Sequence, residues 1–172
     1  MKFLIIYFSQ TGNTKKIGEA IRDALGKEDV TLKAIEDLKP EKLSNFDVVF
    51  LGSGIYASRV SFKLIELLKN ANQIPKKFVY FCTHASLELY QKPFNKVDRI
   101  LKKHNSEVLG SFDCVGENLG IPEKKQKEML DNLPPEEREK ALKAREMIKG
   151  HPNKEDLQNV QQFVANILKK LD

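Results

Sequence analysis

Ser9, Thr11, Asn13 and Thr14, interleaved with Gln10 and Gly12, form the stretch of this chain best suited to chemistry. The six residues follow the apolar run Phe3–Phe8 and open a helical pattern with Ile17, Ala20, Ile21, Ala24 and Leu25 on one face. A buried strand therefore leads through a hydroxyl-rich turn into an amphipathic helix. Free backbone N–H groups and the positive end of the helix dipole gather at such a start, so an anion binds well there. The turn lacks Gly-x-x-x-x-Gly-Lys-Ser/Thr, which excludes the nucleoside triphosphate loop. It also lacks Gly-x-Gly-x-x-Gly, which excludes the dinucleotide fingerprint. Hydroxyls and backbone amides, with no cation among them, suggest a monophosphate ligand.

The elements that must position this turn read as an α/β fold. Apolar runs near 3–8, 30–35, 47–51, 78–82 and 108–114 alternate with helical patterns, which predicts a parallel sheet. The looser alternation of the second run suits an edge strand. Helix 1 runs from Asn13 to Leu25, with Gly26 as its C-terminal cap. The next helix carries Phe62, Ile65 and Leu68 on one face, widened by Leu64 and Leu67. Helix 3 follows Pro93 and presents Phe94, Val97, Ile100 and Leu101. The last helix begins at Asn153, a good N-cap, and shows Leu157, Val160, Val164, Ile167, Leu168 and Leu171. An added segment, 116–150, holds two helical stretches, 123–130 and 135–149. It reads as a surface decoration or a cover over a sheet edge. With no repeat and no low-complexity linker, residues 1–172 read as a single domain.

The chain has 172 residues, 41% hydrophobic and 31% charged, the balance of a globular protein with a sizeable core. No apolar stretch approaches the roughly 20 residues that span a bilayer, and Phe3–Phe8 is too short for a signal-peptide core, so a cytoplasmic location is expected. Net charge is +5, all of it in residues 1–116, which hold 18 basic and 13 acidic residues against 11 and 11 in the remainder. That mild excess suits an acidic partner or an anionic ligand, although a lysine-rich solvated surface requires neither. The lysines are not interleaved with aromatics, which argues against nucleic acid. Cys82 and Cys114 lie in apolar runs and read as buried reduced thiols, not as a disulfide or metal pair.

Open parallel sheets bind ligands beyond the carboxyl ends of their strands, where the strand order reverses. For the order 2-1-3-4-5 that point lies between strands 1 and 3. Three loops then meet: Ser9–Thr14, Gly52–Arg59, and the residues from Thr83 onward. The second offers close backbone approach at Gly52 and Gly54 and an aromatic cover at Tyr56. The third, Thr83-His84-Ala85-Ser86, can hydrogen-bond the edge of a heterocycle. A phospho-receiver domain shares this strand order, but it needs acids after strand 1 and an Asp at the carboxyl end of strand 3. Ser9-Gln10 and Leu51-Gly52 stand there instead.

The Ser-Gln-Thr-Gly-Asn-Thr loop, set in this order of elements, resembles the flavodoxin family. The resemblance implies a flavodoxin-like doubly wound five-stranded parallel sheet, with a helical insertion between strand 5 and the last helix. It implies flavin mononucleotide (FMN) as cofactor. Ser9, Thr11, Asn13 and Thr14, with the backbone of Gln10 and Gly12, would take the phosphate. Ser53, Gly54, Ile55 and Tyr56 would line one side of the flavin ring, and Thr83, His84, Ala85 and Ser86 the other, with Tyr90 as a further ring contact. A peptide at Ser53–Gly54 or Gly54–Ile55 would turn its carbonyl towards the reduced flavin. The implied function is electron transfer to redox partner proteins, cycling the flavin through a semiquinone, with no catalytic side chain and no metal. An FMN-dependent oxidoreductase of the protoporphyrinogen oxidase or quinone reductase kind is the alternative, and a docking module for a larger reductase a third. The chain departs from the family in its basic charge, its lack of Trp and its insertion.

Overall fold

The computed structural model describes residues 1–26, 28–87 and 92–171. Three central strands, β1 (Lys2–Phe8), β3 (Val48–Gly54) and β4 (Lys77–His84), are apolar on both faces, as a parallel sheet covered on both sides requires. With β2 (Asp29–Ala34) and β5 (Glu107–Val115) they form one five-stranded parallel sheet in the order β2-β1-β3-β4-β5. Side chains alternate across the pleat. Leu4, Ile6, Val49, Leu51, Phe78 and Tyr80 pack on one face, under α2 (Phe62–Asn70) and α3 (Asn95–Lys103). Phe3, Ile5, Val48, Phe50, Val79 and Phe81 pack on the other, under α1 (Asn13–Leu25) and α6 (Lys154–Leu168). The architecture is the doubly wound sheet predicted from the sequence.

Two strands run further than their apolar runs indicate. Gly52, Ser53 and Gly54 continue β3, and Thr83 and His84 continue β4, because each finds a parallel partner: Gly52 opposite Phe81, Ser53 opposite Cys82 and Gly54 opposite Thr83. Small and polar residues read as loop, but pairing with the neighbouring strands, on both flanks for Gly52, Ser53 and Thr83 and on one for Gly54 and His84, holds them as strand. Phe62 departs from its expected inward position. It is the first residue of α2, after the Ser61 N-cap, and stands 64% exposed, while Leu64, Leu67 and Leu68 are buried. At the last helix the Asn153 carboxamide accepts from the Glu155 and Asp156 N–H groups, and the Asp156 carboxylate accepts from the Asn153 N–H. That is the reciprocal capping box.

The insertion forms α4 (Glu123–Asp131) and α5 (Pro135–Ile148), whose one buried residue is Ile148. Its leading loop is tied to the ligand end of the sheet. The Gly116 N–H donates to the His84 carbonyl at 2.8 Å, and the Glu117 N–H to the His151 carbonyl at 2.8 Å. These ties set the helix pair beside the carboxyl ends of the strands. None of the described helices is long and apolar enough to cross a membrane.

Candidate functional site

A cleft of about 370 Å3 opens beyond the carboxyl ends of β1, β3 and β4. It lies where the strand order reverses. Gln10, Thr11, Asn13 and Thr14 form its first wall, Gly54, Ile55, Tyr56 and Ala57 its second, and Thr83, His84 and Ala85 its third. A fourth wall comes from the insertion's leading loop: Gly116, Glu117, Asn118, Gly120 and Ile121. That wall is absent from the sequence reading. Its signal was faint: two glycines, two and six residues beyond the fifth apolar run.

The first wall is the N-terminus of α1. Gly12 caps it at φ +92° and accepts the first helical bond, from the Lys16 N–H at 2.9 Å. Ser9 Oγ accepts from the Gly12 N–H at 3.1 Å, so Ser9 braces the turn and does not line the cleft. The first turn carries no acid, so the dipole end faces the cleft uncancelled. Nearby lysines are engaged elsewhere: Lys15 pairs with Glu19, and Lys16 donates to the Pro152 carbonyl. Thr14 Oγ1 and Thr83 Oγ1 meet at 2.8 Å in a buried contact linking α1 to β4. One hydroxyl donates to the other, leaving the second hydrogen for an acceptor in the cleft. Asn13 Nδ2 donates to the Glu117 carbonyl at 2.9 Å, which joins the first wall to the fourth.

The second wall is tightly braced. Ser53 is fully buried behind it, outside the cleft. Its hydroxyl donates to the Gly54 carbonyl at 2.6 Å and accepts from the Ser61 N–H at 3.0 Å. The Ile55 N–H donates to the Thr83 carbonyl at 2.9 Å. The Gly54–Ile55 peptide is thus held at both ends, and turning it breaks both bonds. Tyr56 folds back over Gly54, so closely that a Cβ there would lie 2.6 Å from its hydroxyl oxygen. Its hydroxyl accepts from the Gln10 N–H at 3.2 Å, and its ring meets Phe8 edge-on. Burial raises the Tyr56 hydroxyl above its ordinary pKa, against the lowering by the Gln10 N–H. Tyr56 and Arg59 pair through two backbone bonds, of 2.8 and 3.0 Å. Ala57 and Ser58 turn between them at φ +46° and +63°, a conformation that ordinarily calls for Gly or Asn.

In the third wall His84 is 5% exposed, and both ring nitrogens meet acceptors. Nδ1 lies 2.6 Å from the Ser86 carbonyl and Nε2 3.2 Å from Asp113 Oδ2. Both contacts are hydrogen bonds only when each nitrogen carries hydrogen. Ser86 therefore holds the His84 ring through its backbone and does not line the cleft. The hydrogen bond from His84 keeps the Asp113 carboxyl below its ordinary range, against partial burial. Its native pKa is lowered, so the pair's stabilisation is complete above the ordinary carboxylate pKa and lost as pH falls through the native value. Asp113→Asn is expected to lower stability at neutral pH, with the deficit closing below about pH 4. Urea denaturation at several pH values checks this.

Cys82 and Cys114 are buried under opposite faces of the sheet, so they cannot pair. Burial pushes both thiols up, Cys114 to about 12, and neither is a nucleophile at neutral pH. Among the described residues no acid, His and Cys cluster could hold a metal. Tyr90 lies outside the described residues.

Comparison with known proteins places the architecture. A family model for the flavodoxin domain matches residues 4–165. A flavodoxin-like domain-containing protein, BilS, of Clostridioides difficile is 31% identical and aligns over 99% of this chain and 98% of its own length. An uncharacterized protein of Methanocaldococcus jannaschii is 30% identical, over 98% and 99%. Among solved structures, oxidised flavodoxin 2 from Bacillus cereus covers 99% of each chain with a TM-score of 0.66 at 20% identity, a likeness of fold.

Proposed function

The chain belongs to the flavodoxin family, and from that premise we propose that it binds FMN and carries electrons between redox partner proteins. The observation that carries the reading is the α1 N-terminus. It has no acid in its first turn and offers backbone donors and hydroxyls to a cleft at the strand-order reversal. Those features suit a phosphomonoester, and the glycine-containing second wall with the small residues of the third suits a flat ring. FMN, when bound, supplies the electron-accepting and electron-donating chemistry.

In this reading Thr11, Asn13 and Thr14, with the Gln10 amide, hold the phosphate, while the Gly12 amide, expected there from the sequence, is taken by Ser9, which braces the turn. The Gln10 N–H is shared with the Tyr56 hydroxyl, so the second wall and the phosphate turn are set together. Gly54, Ile55 and Tyr56 form one side of the ring site and Thr83, His84 and Ala85 the other. Ser53 and Ser86 act one layer behind them. His84, with both ring nitrogens engaged by Ser86 and Asp113, lines the site as a fixed imidazole ring. The site needs no acid–base pair, since a carrier makes and breaks no bond to carbon.

The test is stepwise reduction of the FMN-loaded protein, followed by absorbance. A carrier accepts its two electrons in resolved single steps and regains its oxidised spectrum on reoxidation. A single concerted two-electron step, with rapid turnover of an added quinone, would favour the oxidoreductase. The insertion's presence in the cleft wall is the observation on that second side.

A further inference from the structure

The groove between α4 and α5 lies beside the cleft and encloses about 340 Å3. Ala85, Asn118 and Ile121 line both spaces, so the two adjoin. Ile121, Met129, Leu130, Leu133 and Ile148 make most of the groove apolar. Met129 and Leu133 remain exposed, although each would be stabilised by leaving water. Of the two side-chain amides in the wall, Asn118 and Gln126, the second is already used: Gln126 Nε2 donates to the carbonyls of Asn118 and Ile121, at 3.1 and 2.5 Å.

Among the described residues one charged side chain lines the groove, that of Arg145. On α4 and α5, Arg138 pairs with Asp131, Lys143 with Glu139 and Lys149 with Glu146, while Glu117, Glu123 and Glu146 line a neighbouring pocket that Arg145 shares. Among the described residues no carboxylate pairs with Arg145. An apolar pocket with one unpaired guanidinium selects an apolar molecule bearing one anionic group, because the planar fork matches a carboxylate.

We propose that this groove is a second ligand site, for a small apolar organic acid held beside the flavin position. Its apolar body lies among Met129, Leu130, Leu133 and Ile148, and its anion meets Arg145. A protein partner is a poorer occupant: the groove is small beside a standard protein interface, and the insertion carries no net charge to steer one. Binding in the groove uses none of the residues assigned to the phosphate, so it stands or falls independently of FMN.

Calorimetric titration of the full chain with 8-anilinonaphthalene-1-sulfonate, an apolar aromatic bearing one anion, tests the assignment. Uncharged N-phenyl-1-naphthylamine serves as the control. One saturable site is expected for the sulfonate. Arg145→Gln should weaken it about tenfold and leave the uncharged probe unchanged. Ala144→Phe, which fills the groove, should remove both probes while FMN affinity stays the same, with circular dichroism verifying the helices. Absence of saturable binding overturns the assignment, and so does sulfonate binding that Arg145→Gln leaves unchanged. Loss of FMN binding with the probe site intact would instead count against the cofactor reading alone.

Discussion

Replacing Gly52 by alanine is expected to cost about 3 kcal/mol of unfolding free energy, the upper part of the range for overpacked cores. Gly52 lies in β3 between Tyr7 of β1 and Phe81 of β4. The Phe81 ring is fully buried and crosses directly over it, so that an added Cβ would sit 2.0 Å from a ring carbon. No rotamer adjustment at position 52 relieves this, because alanine has none. The ring must move, and it is hemmed by Phe50, Val79 and Val160 in the same cluster. Chemical denaturation reads the loss as a lower midpoint at unchanged slope. Gly52 also leads into the second cleft wall, so FMN binding should fall with stability. A variant as stable as the parent would contradict the close approach of Phe81 to Gly52.

The second large effect is electrostatic. Thr11→Asp is expected to weaken FMN about a hundredfold while changing riboflavin affinity little. Thr11 lines the cleft at the start of α1, where the first turn has no acid and the adjacent lysines are engaged elsewhere. A new carboxylate there faces the phosphate with no cation to offset it. Two unit charges about 4 Å apart near a protein surface interact by about 4 kcal/mol, so a hundredfold loss needs only part of that. Stability should hold, since an acid at a helix start is favourable. Fluorescence titration with both flavins distinguishes a charge effect from general damage, which would weaken both alike.

The strands and the starts of α1 and α6 were legible in the sequence because their patterns are local and periodic, and the sheet order followed from the family resemblance. The β1 run, the Asn13–Leu25 stripe and the Asn153 cap all follow from near-neighbour patterns. What was not legible depends on partners distant in the chain. Ser53 looked like a ring contact, but its hydroxyl is bound between Gly54 and Ser61. Tyr56 reads from the sequence as an aromatic cover, and only the Gln10 N–H and the Phe8 edge select its folded-back position. His84 was visible as a site residue, whereas its clamp, Asp113, sits on another strand. The Gly116–Ile121 wall reaches the cleft through bonds to His84, His151 and Asn13, none of them predictable from spacing. Phe62 satisfied a helical stripe yet sits at the first turn, where the stripe has left the core.

The cofactor reading is tested most directly by comparing FMN with riboflavin on the unmodified protein. The two ligands differ only in the phosphate that the Ser9–Thr14 turn is proposed to hold. Two charge-assisted hydrogen bonds, each worth roughly 1.5–3 kcal/mol, already imply at least about a hundredfold preference. One FMN per chain, bound about a hundredfold tighter than riboflavin, is the predicted result. Equal affinity for the two flavins, or no binding of FMN, would contradict it.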